Sequence, residues 1–284
     1  MSEAAASPGA ARIDLGALWV APPLAALAVL FLYPLALIAH AAAYDATDAI
    51  NLSAAWETLG SKAFLNALIN TAEIAVASTA GSLALGLTLA LIFAFAPFPG
   101  ATFVARLIDT FIALPTFLAT LAFTFLYGSA GLLNGALVQA FHLPGPPVHF
   151  LYSAWGVVLA EVTVYSPFVL RPMLAAFSLV DRGQIEVASL LGARAWRIAR
   201  EIILPAALPA AIAGGSLCLL LTVNEFGIVL FIGAKGVITL PLLIYDKAIQ
   251  ESDYQAACVI AMVNVALSLS LFGLYRLAAK RLGA

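Results

Sequence analysis

Charge is scarce in this chain: 13 Lys and Arg and 15 Asp and Glu among 284 residues, 10% in all. A soluble globular domain carries about 25% charged residues, so this chain lacks the polar groups to cover a water-facing surface. Hydrophobic residues make up 63%, and mean hydropathy is +1.04. Lipid is the expected solvent, and the chain reads as an integral membrane protein. Cysteine and histidine are nearly missing as well. The two cysteines, Cys218 and Cys258, both lie in apolar runs and read as small core residues. His142 and His149 flank only Leu-Pro-Gly-Pro-Pro-Val, and no metal-ligand spacing is formed. There is no G-x-x-x-x-G-K-[ST] run to cradle a nucleotide phosphate. No nucleophile and base, and no metal constellation, suggest an enzyme. The few basic residues sit at the ends of apolar segments, which argues against nucleic acid as a partner.

What the chain has in abundance is long apolar segments. A helix needs about 20 apolar residues to cross the hydrocarbon core. Six segments qualify: 18–43, 67–96, 107–127, 151–180, 206–232 and 254–276. They are continuously apolar, which predicts helices rather than the short alternating strands of a barrel. The expected fold is all-α and polytopic, with 1–17 a short leading segment and 18–284 the membrane domain. The run from Leu18 to Ala43 is too long for the apolar region of a signal peptide and reads as a retained first span. With the N-terminus inside, Arg12, Arg106, Arg182, Arg194, Arg197, Arg200, Arg276, Lys280 and Arg281 fall on the cytoplasmic side. Only Lys62, Lys235 and Lys247 fall outside, beside the acidic Asp45, Asp48, Glu57, Asp246, Glu251 and Asp253. That bias puts both termini in the cytoplasm. The outer loop Gly128 to Phe150 holds apolar Ala136 to Phe141 and then Pro-Gly-Pro-Pro, which predicts a short surface helix and a rigid return.

One polar stretch interrupts this pattern. Glu186 to Pro205 reads EVASLLGARAWRIAREIILP, and with Arg182 it gathers four arginines, the others being Arg194, Arg197 and Arg200. Ile185, Ala188, Ser189, Gly192, Trp196, Ala199 and Ile203 recur at helical spacing and share one face; Arg194, Arg197 and Glu201 share another. Asp181 is placed to cap the helix start. Gly192 sits mid-pattern, where glycine costs about 1 kcal/mol against alanine, and so marks a bend or a close contact. Pro205 reads as the first residue of the next span. An amphipathic helix resting on the inner leaflet is the plain alternative for the arginine face.

The spacing from Glu186 through Ala188 and Gly192 to Ile202, Leu204 and Pro205 resembles the E-A-A loop of ABC-importer permeases, E-A-A-x-x-x-G-x9-I-x-L-P, with Val187 departing at the second position. The resemblance extends over nearly the whole chain, including the six-span layout and the Asn70-Thr71 pair. It implies the type I importer permease fold in an inner membrane. The loop, 181–205, would form short coupling helices that insert into a cleft on an ATPase subunit. Glu186 would orient it, Gly192 would permit the turn, and Arg194 and Arg197 would meet the ATPase. The implied partners are two ABC ATPases, which bind the ATP, a second permease subunit, identical or related, and an extracytoplasmic substrate-binding protein. No cofactor is expected on the chain itself.

Charge near the centre of a membrane helix costs about 2.5–3.5 kcal/mol or more on insertion scales. Glu73, Glu161, Arg171 and Glu225 lie in the predicted spans. Glu161, Arg171 and Glu225 are the candidates for the translocation pathway or its gate. Glu161 could meet a substrate ammonium, and Glu225 has an interhelical hydrogen bond as its equal alternative. Arg171 could meet an anion, though pairing with another side chain is its favoured reading. Glu73 opens the second span and is expected at the outer interface. Glu225-Phe-Gly resembles permeases for sulfate, molybdate, ferric iron, thiamine, polyamines and phosphonates. Residues 226–276, with Gly233-Ala-Lys-Gly236 and Glu251-Ser-Asp-Tyr254, are similar to permeases of 2-aminoethylphosphonate importers. That similarity implies a small polar solute, with a polyamine, thiamine, ferric iron or an oxyanion as the alternatives. An ion-driven secondary transporter is the competing class; it predicts inverted repeats and helices broken at mid-membrane.

Overall fold

The computed structural model describes residues 15–44, 49–96 and 98–281. Arg12, Asp45 and Asp48, used above for orientation, and most of the leading segment 1–17 lie outside those residues. The described elements run α1 (Leu15–Ala43), α2 (Leu52–Gly60), α3 (Lys62–Phe95), α4 (Ala101–Ala113), α5 (Thr116–Tyr127), α6 (Leu132–Phe141) and α7 (Ala154–Ser178). They continue with α8 (Arg182–Leu190), α9 (Ala195–Ile198), α10 (Leu204–Val223), α11 (Gly227–Ile232), α12 (Leu240–Tyr245) and α13 (Tyr254–Arg281). Six helical stretches among the described residues are long and apolar enough to cross a membrane. The fold is all-helical, as the apolar runs predict.

Three boundaries differ from the sequence reading, each for a local reason. The second span opens at Lys62, not 67, because Ser61 caps it: its Oγ accepts the Phe64 N–H at 3.2 Å. Glu73 therefore lies three turns inside α3, not at its start. The third expected span, 107–127, is broken between α4 and α5 at Leu114-Pro115. Pro115 has no N–H to continue the ladder and instead stands at the N-terminus of α5. The fifth, 206–232, begins earlier and ends sooner. Its helix is continuous from Ala195 to Val223, and Asn224 to Phe226 separate it from α11. Pro205 thus lies within a helix that began ten residues earlier. The wide π turn at Ala199–Ile203 directly precedes it, in keeping with the ring's clash against the carbonyl four residues back.

The core is a three-helix pack of α3, α7 and α10, lined by Val157, Ala160, Val164, Val169, Leu170 and Cys218. Small residues let these backbones approach, the usual route to helix association where lipid supplies no hydrophobic contrast. A Cβ at Gly86 of α3 would fall 2.7 Å from Val169 Cβ, and one at Gly214 of α10 would fall 2.9 Å from Val169 Cα. A smaller second cluster joins Phe64 and Ala67 to Leu240, Leu243 and Ile260. The short helix expected in the Gly128 to Phe150 loop is α6. Buried Asn134 anchors its loop, donating to the Gly128 and Val148 carbonyls and accepting the Val148 N–H, each at 2.9 Å. Helix α1 packs on α13 and otherwise exposes its apolar side chains.

Candidate functional site

The polar stretch folds as one short helix, a sharp turn, and the start of a long second helix. Asp181 caps α8 through the Gly183 N–H at 2.8 Å. Helix α8 carries Glu186, Val187 and Ala188 and ends at Leu190. Gly192 then adopts φ +81°, the left-handed region that glycine enters without a Cβ penalty. Its N–H bonds the Ser189 carbonyl at 3.0 Å, and the Ala193 N–H bonds the Ala188 carbonyl at 3.0 Å. These bonds close the end of α8. The continuous face drawn above from Ile185 to Ile203 is therefore divided at Gly192. The second half is a single helix leading through Arg194, Arg197, Ile202, Leu204 and Pro205 into the fifth span.

Packing divides the stretch. Ile185, Ala188, Ala193 and Ile202 rest on the core, and Ile198 and Ile203 are buried within it. Leu190 and Leu191, at the turn, are 88% and 83% exposed, and Trp196 is 71% exposed. Glu186, Arg194 and Arg200 are exposed without a side-chain partner among the described residues, while Arg197 reaches Glu201 at 3.1 Å. Large apolar side chains at a glycine turn, ringed by unpaired charges, have the composition of a protein-docking surface. A groove of about 520 Å³ runs beside them, lined by Asp181, Gly183, Gln184, Val187, Leu191 and Ile202.

A second polar centre lies where the fifth span breaks. The Glu225 carboxylate accepts the Ile228 N–H at 2.8 Å, so it caps α11. It also accepts Thr116 Oγ1 at 3.3 Å and the Tyr165 hydroxyl. One carboxylate thereby ties α5, α7 and α11 together. Beside it, Asn224 bonds the Leu220 carbonyl at 2.8 Å, Ser268 at 3.1 Å and Asn264 at 3.0 Å. A cavity of about 420 Å³ opens here between Leu114, Thr116, Tyr165, Phe168, Leu221 and Glu225. Glu161, one turn before Tyr165, is 0% exposed and lies against the buried Ser78 hydroxyl of α3. Ser82 of α3 is likewise buried, beside Cys218 of α10.

Arg171 does not meet Glu161 or Glu225. It forms an ion pair with Asp109 of α4, Nε to Oδ1 at 2.5 Å, and its other arm reaches the Ala105 carbonyl at 3.4 Å. Both side chains are about two-fifths exposed. The sequence reading expected a paired arginine but missed Asp109, which sits only three residues into the predicted third span.

At the opposite end, the Asn70-Thr71 pair has a visible task. Asn70 Nδ2 donates to the Ile238 carbonyl at 3.0 Å and the Gly236 carbonyl at 3.4 Å, and Thr71 Oγ1 accepts the Leu240 N–H at 2.8 Å. The pair clamps the loop before α12 to α3.

Residues 86–284 match the model of the family described as "Binding-protein-dependent transport system inner membrane component". The chain is 59% identical over 266 residues to the "Putative 2-aminoethylphosphonate transport system permease protein PhnU" of Salmonella paratyphi A, covering 94% of this chain and 92% of that one. It is 34% identical over 190 residues to the "Sulfate transport system permease protein CysT" of Salmonella typhimurium, covering 66% of each. Among solved structures it superposes on a permease of the bacterial alginate ABC transporter, crystallised with an alginate pentasaccharide-bound periplasmic protein. There the TM-score is 0.80 at 18% identity, over 94% of this chain and 95% of that one, a likeness of fold. The chain belongs to the binding-protein-dependent transport system inner membrane components: it is a multi-pass permease subunit of an ABC importer, a transport subunit and not an enzyme.

Proposed function

We propose that this permease forms the translocation pathway for 2-aminoethylphosphonate. The observation that carries the reading is the 59% identity along 92% of a relative named for that solute. The working unit contains two permease subunits, identical or related, two ATPases that bind the ATP, and an extracytoplasmic binding protein. Both termini face the cytoplasm. Among the described residues, Arg106, Arg182, Arg194, Arg197, Arg200, Arg276, Lys280 and Arg281 support that orientation against Lys62, Lys235 and Lys247 outside. Residues 18–284 form the membrane domain behind a short cytoplasmic segment, 1–17.

The coupling loop, 181–205, is the ATPase contact. Leu190, Leu191 and Trp196 enter the ATPase cleft, Gly192 sets their angle, and Glu186, Arg194 and Arg197 supply the charged rim. Ala188, Ile202, Leu204 and Pro205 join the loop to the fifth span. Support comes from the exposure of the three apolar side chains beside an intact, well-packed core. ATPase closure then moves a lever whose far end is the break at Asn224–Phe226, next to the cavity lined by Tyr165 and Glu225. In this reading Glu225 and Glu161 hold the gate and Arg171 steadies α4 against α7.

Uptake of labelled 2-aminoethylphosphonate by cells lacking this chain, before and after its restoration, tests the proposal. Restored uptake that stops on ATP depletion and survives collapse of the proton gradient is the expected result. The sulfate-permease relative favours an oxyanion as the second reading. Competition by sulfate stronger than by unlabelled 2-aminoethylphosphonate selects it.

A further inference from the structure

Glu73 is the charged group in the spans for which the fold described so far gives no role. It sits eleven residues after Lys62, the first residue of the 34-residue α3. At 1.5 Å per residue that helix is about 51 Å long, against a hydrocarbon core of about 30 Å. Centring it puts Glu73 about 6 Å inside the outer boundary of that core. Along α3 it shares one exposed stripe with Leu65, Ile69 and Val76. It has no ion pair and no hydrogen bond among the described residues. A bare carboxylate at that depth does not face acyl chains; it faces a cavity, a pathway or another protein group.

The groove in front of it is formed. Asn70, Glu73, Ile74, Ala77, Trp155 and Val158 enclose about 180 Å³ between the outer ends of α3 and α7. Its one ionisable side chain is acidic. Asn70 uses its amide N–H donors on the Gly236 and Ile238 carbonyls, while its Oδ1 takes no donor among the described residues. Glu73 offers only acceptors. Trp155 is 72% exposed and offers an aromatic face, the ring type that attracts cations best. An anion would meet no basic side chain among these six. A compact ammonium would meet a carboxylate, an amide oxygen and an indole.

We propose that this groove is an outer subsite for a primary ammonium group, taken up by the solute as it leaves the binding protein. The assignment rests on the substrate reading above only in naming which ammonium arrives; the cation chemistry belongs to the groove itself. Glu73 supplies the charge, Asn70 Oδ1 a second acceptor and Trp155 the stacking face.

The test uses the complete importer in vesicles and has two arms. In the first, Trp155→Cys is treated with thiol reagents carrying either an ammonium or a sulfonate, with and without Glu73→Gln. Buried Cys218 and half-buried Cys258 of the parent chain set the background. The ammonium reagent should gain about tenfold over the sulfonate when Glu73 is present, a ratio equal to about 1.4 kcal/mol, and lose that gain in Glu73→Gln. Ala77→Cys gives a second position in the same groove should the Trp155 variant fail to fold. A cysteine unreactive to both reagents at both positions, or a preference indifferent to Glu73, overturns the proposal. In the second arm, Glu73→Gln should lower 2-aminoethylphosphonate uptake at least severalfold, with Glu73→Asp recovering part of it. Wild-type uptake matched by Glu73→Gln removes the subsite from the transport route. No wild-type uptake at all, together with a Glu73-dependent ammonium preference, discards the substrate and keeps the ammonium site.

Discussion

The three-helix centre and the loop 181–205 use glycine for opposite purposes. In the centre, Gly86 and Gly214 have Val169 directly against them, and an added methyl group has nowhere to go. In the loop, Gly192 has nothing within 4 Å of where its Cβ would stand, and only its φ of +81° calls for glycine. The first kind of glycine removes volume so that α3, α7 and α10 pack closely. The second kind bends the chain so that Leu190 and Leu191 point away from that body. The proposed coupling to an ATPase calls for both: a lever that does not deform and a handle that does not pack against it.

Substitutions can pull these two roles apart, beginning with the most disruptive. Gly214→Leu forces a side chain into the Val169 backbone, and overpacking of even a methylene or two costs about 1–3 kcal/mol. For the full leucine, no folded permease should be recovered in detergent, while Gly214→Ala should unfold at a visibly lower temperature. Leu190→Asp with Leu191→Asp should leave that unfolding temperature within error, because exposed substitutions change stability by about 0.5 kcal/mol at most. The same pair should weaken ATPase capture on an affinity column at least tenfold, as expected of apolar anchors worth about 2 kcal/mol or more. Equal loss of fold and capture would show that the loop is part of the core. Gly192→Ala meets no clash and bears only the left-handed penalty of about 1–2 kcal/mol. It should retain the fold and reduce ATP-driven uptake more than ATPase binding. Smallest is the Arg171–Asp109 pair. A double-mutant cycle with Arg171→Gln and Asp109→Asn should return a coupling of about 0.2–1 kcal/mol, since both side chains are partly exposed.

Much of this architecture was legible beforehand because membrane insertion leaves a coarse signal. Apolar length marked the spans, and the glutamate, glycine and Ile-x-Leu-Pro spacing marked the loop with its turn at Gly192. What escaped depends on contacts between elements or on weak local cues. Hydropathy could not tell that Ser61 starts α3 five residues early, so Glu73 was read as opening a span whose helix begins three turns before it. Asp109 becomes meaningful only when α4 meets α7. Pro205 looked like a helix start because that is its usual place; the π turn before it lets the helix begin at Ala195 instead. The break at Asn224–Phe226 resembles the broken helices expected of a secondary transporter. Glu225 fills it with a cap, and the family match assigns the class.

The clamp made by Asn70 and Thr71 sets an order of events during biosynthesis. Its partners lie 166 to 169 positions later in the chain. At about 5–20 residues per second, the ribosome delivers them on the order of ten to thirty seconds after α3 has emerged. Through that interval the clamped end of α3 is held by none of the three clamp bonds, and the nascent permease has α3 in the membrane without the loop that precedes α12. A chain stopped before Gly236 contains most of the described helices yet never closes its outer face.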